Sequence, residues 1–117
     1  MTSKEKYKLL VKCRLKNPYN GKGKHKHHAI PRCLKPKVNI VLSLSLEEHT
    51  IAHYWLMKMS HKPKTKKYMY AAFNGLRNQW FKGNKNRLTK EKQWKKFETN
   101  YLQNLIDEYS KNFKTPL

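Results

Sequence analysis

Four of the six histidines in this chain of 117 residues stand in an arrangement that chemistry can use. His27 and His28 are adjacent, Pro31 and Asn39 follow, and His49 and His53 lie four residues apart. Imidazoles at that separation project from one face of a helix, whereas neighbours in an extended run point to opposite sides. One member of the first pair can therefore join the second pair around a divalent cation while the other addresses a water. A cation that stabilises developing charge, beside an imidazole that accepts a proton near neutral pH, meets the needs of phosphodiester hydrolysis. Three imidazole donors are softer than the oxygen-rich sites magnesium prefers, so the donor set favours zinc, nickel or manganese.

These side chains need a scaffold, and the sequence supplies its outline. Ser45 and Glu48 have capping-box spacing and open a helix that carries His49 and His53 and continues through Trp55, Leu56 and Met59. Pro63 limits its length. The run from Lys24 to Pro31 reads as a short strand. Residues 38–44, β-branched and apolar, read as a second strand after a turn-like stretch bounded by Pro31 and Pro36. The expected order is strand, loop, strand, helix.

Helices are expected on both flanks of this core. Residues 3–16 place Tyr7, Leu10, Val11 and Leu15 on one face and stop before Asn17-Pro18. Residues 65–81 repeat Tyr68, Ala71, Ala72 and Leu76 at three- and four-residue steps. From Thr89 onward Trp94, Phe97, Tyr101, Leu105, Tyr109 and Phe113 give the clearest amphipathic stripe, suited to a core or to a seam between two copies. The length fits one domain, organised as an N-terminal helix (1–20), a core (24–60) and a helical extension (65–117), in a monomer or a homodimer paired through the last helix. With 38% apolar residues the core must be modest. Cys13 and Cys33 belong to no Cys-x-x-Cys pair and no secretory signal is visible, so both read as reduced thiols of a cytoplasmic protein. No apolar run approaches the ~20 residues of a membrane span.

Charge points to the partner. Twenty-seven Lys and Arg against seven Asp and Glu give a net charge of +20, which draws the chain to polyanions. Residues 1–40 carry twelve basic side chains and one acidic, and residues 61–90 carry nine basic and none acidic. These segments bracket the histidine helix. Lys22, Lys24 and Lys26 before it, and Lys62, Lys64, Lys66, Lys67 and Arg77 after it, are the candidate phosphate contacts. His61, alone among lysines, reads as a solvated residue.

The stretch from His27 to Leu56 resembles the HNH nuclease motif in its ββα-metal form: a His-His-x-x-Pro run, an Asn on the second strand, and a Glu-His-x-x-x-His helix. The flanks, including Lys67 to Phe73, are similar to those of small free-standing HNH homing endonucleases of phage genomes. The resemblance implies an α+β fold, with two short antiparallel strands and a catalytic helix flanked by further α-helices. It also implies one divalent ion (Mg²⁺, Mn²⁺, Zn²⁺ or Ni²⁺), double-stranded DNA as substrate, and 5′-phosphate and 3′-OH products. By resemblance, His27, His49 and His53 are metal ligands, His28 is the general base, and Asn39 orients the base or its loop. Two departures stand out. Asn39 precedes His49 by ten residues where nine are expected, which calls for a bulge, and His25 stands where the family usually has a carboxylate, either as an altered contact behind the ligands or close to the metal. Two other readings compete: a bacteriocin-like toxin nuclease, and a non-catalytic nucleic-acid-binding protein with a structural metal. The intact His28 argues against the latter.

Overall fold

The computed structural model describes residues 1–30, 36–80 and 87–113. It is a mixed α+β protein with helix α1 (Ser3–Lys16), strands β1 (His25–His28) and β2 (Val41–Leu44), and helices α2 (Leu46–Met59), α3 (Pro63–Trp80) and α4 (Arg87–Phe113). The strands form one antiparallel pair in which His25 faces Leu44, His27 faces Leu42 and His28 faces Val41. Ala29 N–H donates to the Ile40 carbonyl at 2.8 Å, so the ladder runs one step past the strands without an inserted residue.

Local chemistry sets the ends of these elements. Both α1 and α2 start with a complete capping box, Thr2 with Glu5 and Ser45 with Glu48, which satisfies helix N–H groups that lack an internal partner. Pro63 begins α3 rather than merely stopping α2, since a first-turn position needs no N–H from proline. Gly23, at φ +70°, turns the chain into β1 in a conformation that a side chain would disfavour. The loop before it is tied to β2, where Tyr19 N–H donates to the Ser43 carbonyl and Ser43 Oγ donates back to the Tyr19 carbonyl.

The core lies where α1, the strands and α2 meet. Leu10, Leu42, Leu44, Ile51 and Trp55 are fully enclosed there. Cys13 is buried as a free thiol on α1, with its Sγ 3.8 Å from the Leu105 carbonyl of α4. Cys33 lies outside the described residues. The aromatic rings of Tyr54, Phe73 and Trp94 join α2, α3 and α4, with centroids 5.1 to 5.2 Å apart. Trp94, Leu105 and Tyr109 are buried inside the chain, so the stripe on the last helix serves as core.

Three expectations need correction. The second strand begins at Val41, not Val38, and Val38 is 80% exposed. No described element covers that end of the run, so its β-branched composition lacks the packing that sustains a strand. Leu15 is 48% exposed, while Leu9 and Cys13 are buried. Helix α1 contacts β2 and α2 as well as α4, so its buried surface spreads over two faces instead of one stripe. On α3 the buried positions are Thr65, Met69 and Phe73, whereas Tyr68 is half exposed. No described helix is long and apolar enough to cross a membrane.

Candidate metal centre

Three imidazoles converge between β1 and the first turns of α2. The strand's alternation turns His27 inward, only 2% exposed, and leaves Lys26 exposed and His28 half-buried. Four residues along α2, His49 and His53 approach each other with their Nε2 atoms 3.1 Å apart. The His27 ring centroid lies 5.2 Å from that of His49 and 5.0 Å from that of His53. One nitrogen from each of the three falls within 4.8 Å of the others, the one such grouping among the described residues.

The donor chemistry fits a divalent cation. Burial pushes His27 down to about 3, helped by the neighbouring His53, His49 and His28 rings. It lowers His49 to about 4, with His53 and His25 adding, and His53 to about 4 through burial alone. All three are therefore neutral near pH 7 and offer lone pairs, which is the ligand form of histidine. Two nitrogens bound tetrahedrally to one zinc ion at ~2.0–2.1 Å lie about 3.3 Å apart. The His49–His53 separation is close to that span.

Partners behind the ligands hold two of the rings. Tyr7 on α1 donates to the Ala29 carbonyl at 2.7 Å and touches His27 Nε2 at 2.8 Å. Its burial raises the phenol well above its usual range, so it stays protonated. His25 Nδ1 lies 3.1 Å from His49 Nδ1. Two residues from His27 on the same face of β1, His25 thus contacts the back of a candidate ligand, at the position where the resemblance stated above implies a carboxylate. His53 Nδ1 is buried with no protein partner among the described residues.

Asn39 acts on backbone. Its Oδ1 accepts from Ile30 N–H and Ile40 N–H at 3.0 and 2.9 Å, and its Nδ2 donates to the Ile30 carbonyl at 2.7 Å. The side chain thereby continues the β1–β2 ladder opposite Ile30, in register and without the bulge that the sequence spacing called for. It closes the loop two residues beyond His28.

A polar cluster sits at the N-terminus of α2. Arg14 Nε donates to Glu48 Oε2 at 2.6 Å and its guanidinium also donates to Glu108 Oε1 at 2.8 Å, while the Tyr101 hydroxyl donates to Glu48. Glu48 also belongs to the capping box of Ser45. The helix that carries His49 and His53 is thereby pinned to α1 and α4. Arg14 and Tyr101 were not legible as a pair in the sequence, because the contact spans separations of tens of residues and neither belongs to a motif. Tyr7 was legible only as part of an apolar face.

The candidate phosphate contacts divide. Lys22, Lys24, Lys26, Lys62, Lys64, Lys66 and Lys67 are exposed. Arg77 is half-buried, lies over the Phe73 ring and donates from Nη2 to Asn74 Oδ1, while its Nε is buried with no partner among the described residues. Compared with protein families, curated proteins and solved structures, the chain matches none.

Proposed function

We propose that the chain is a metal-dependent DNA endonuclease of HNH type, with β1, β2 and α2 as a ββα-metal finger, and that it is of the homing kind found in phage genomes. The observation that carries this reading is the convergence of His27, His49 and His53 within 4.8 Å, with His28 next on the strand and Asn39 closing the adjacent loop. A structural clip would have no use for the additional imidazole.

In this reading His27, His49 and His53 hold one divalent ion, which when bound stabilises the charge on the phosphate and on the departing 3′ oxygen. The half-buried His28 takes the proton from the attacking water. Asn39 keeps the Ile30 backbone in place and so limits the travel of the strand end that bears His28. The exposed lysines neutralise phosphates without reading sequence. The net charge of +20 supports a polyanionic substrate.

A plasmid-nicking assay with zinc, nickel, manganese or magnesium added to chelator-treated protein tests the proposal. Metal-dependent conversion of supercoiled to nicked or linear DNA is expected. Tight metal and DNA binding with no cleavage under any ion would overturn it and leave a binding protein.

A further inference from the structure

We propose that Tyr7 is a positioning residue that makes His27 offer Nδ1, and not Nε2, to its cation, an inference that rests on the metal-binding part of the function proposed above. The count of hydrogens decides the tautomer. The Tyr7 hydroxyl carries one, and at 2.7 Å it faces the Ala29 carbonyl oxygen, which can only accept. That hydrogen is therefore committed. The same hydroxyl oxygen lies 2.8 Å from His27 Nε2, so it accepts there and Nε2 must be the protonated nitrogen. A neutral imidazole has one N–H. The lone pair of His27 then lies on Nδ1.

Burial makes this choice binding. His27 is 2% exposed, so no bulk water can take the place of the tyrosine. The two rings meet edge-on, with centroids 6.1 Å apart and planes at 78°. Metal-binding histidines are commonly held by a partner on their second nitrogen, and loss of such a partner costs about 10- to 100-fold in metal affinity. Here the partner comes from α1, outside the strand-and-helix unit. The two contacts of Tyr7 also fall on residues 27 and 29, on either side of His28, so one hydroxyl ties the ligand ring to the backbone beyond the candidate base.

The unaltered protein supplies the first test. Long-range ¹H–¹⁵N correlation spectra of ¹⁵N-labelled, metal-free protein at neutral pH should show His27 protonated at Nε2 and bare at Nδ1. The opposite tautomer overturns the proposal whatever any variant does. In the second test, Tyr7→Phe keeps the ring and removes the hydroxyl, and should weaken zinc binding by about 10- to 100-fold in calorimetric titration. The cobalt-loaded variant should also show an altered visible spectrum. In a His27→Ala background, Tyr7→Phe should change zinc affinity no further, because Tyr7 then has no ligand to orient. Unchanged affinity in the single variant, or an equal loss in both backgrounds, sinks the proposal. Should Tyr7→Phe fail to fold, the tautomer spectrum decides. None of these readouts needs cleavage: a protein that passes them yet nicks no plasmid loses the nuclease reading alone, and one that nicks plasmid but fails them loses only the role of Tyr7.

Discussion

His49 and His53 meet nitrogen to nitrogen, with their Nε2 atoms 3.1 Å apart on successive turns of α2. Two imidazole lone pairs at that distance repel unless a proton or a cation lies between them. Burial lowers both groups to about 4, so near pH 7 each ring is neutral with one N–H: either one ring donates its Nε2–H to the other, or both carry their hydrogen on Nδ1 and turn two lone pairs on one cation.

Removal of either ring should therefore cost metal affinity directly. His49→Ala and His53→Ala are each expected to lose more than the ~10- to 100-fold typical of changes behind the ligands. Raising the metal concentration should partly restore cleavage. Calorimetric zinc titration measures the loss, and wild-type affinity in both variants would mean that the cation sits elsewhere.

The lowered values also predict an unusual pH response. Three ordinary imidazoles titrating near 6.5 would lose roughly a thousandfold in metal affinity between about pH 7.5 and 5.5 through proton competition. His27, His49 and His53, lowered to about 3, 4 and 4, compete with protons only below that range, so affinity should stay nearly flat across it. Stability follows by linkage. Each group binds protons more weakly folded than unfolded, so its contribution is complete above the unfolded value near 6.5 and falls as pH drops toward the folded one. Urea melts of metal-free protein should show a declining midpoint below about pH 6.5. A midpoint that rises on acidification would contradict the buried, neutral state of these rings.

His28→Ala should separate chemistry from binding. It removes the candidate base and no ligand, so cleavage should fall by roughly 10²- to 10⁴-fold while zinc and DNA affinities hold. Single-turnover cleavage at saturating metal gives the comparison. Nicking at the wild-type rate would move the base to another residue.

The sequence shows His49 and His53 because their spacing puts them on one helical face, and alternation sets His27 and His28 on opposite sides of a strand, though only the resemblance singled out His27 of the two. The capping box at Ser45 and Glu48 is legible for the same reason. What it hides depends on distant chain segments. Tyr7 reads as one more apolar helix residue until the fold brings its hydroxyl to a histidine twenty positions away. Arg14 reads as one more of the many basic residues, and only the folded chain supplies two carboxylates to it. The strand expected from Val38 begins only at Val41, because Val38 is exposed and unpacked, although Ile40 and the Asn39 side chain still bond to Ala29 and Ile30.

That hidden cluster yields a stability prediction. Arg14 and Glu48 are largely buried, with side-chain exposures of 13% and 8%, and Arg14→Ala would leave the Glu48 and Glu108 carboxylates without their cation. Breaking such a pair typically costs about 3–5 kcal/mol, because the remaining charge stays buried. Denaturant melts of the metal-free variant should show a loss of that order. Arg14→Met with Glu48→Gln and Glu108→Gln removes the charges together and should recover much of it. Equal losses in the single and triple variants would show that packing, and not the ion pair, is at stake.

The last prediction concerns the basic run at the start of α3. Lys62, Lys64, Lys66 and Lys67 are exposed, and no described hydrogen bond or ion pair engages their ammonium groups. If they track phosphates, replacing all four with Gln should weaken binding to unrelated duplexes alike and flatten the salt dependence by about 0.9 in log–log slope per lost contact. Cleavage at saturating DNA and metal should change little, since these side chains supply neither the proton acceptor nor the cation ligands. Fluorescence anisotropy across several salt concentrations gives slope and affinity together. A wild-type slope in the four-Gln variant would make this run a solvated face and transfer the phosphate contacts to the equally exposed Lys22, Lys24 and Lys26 on the approach to β1.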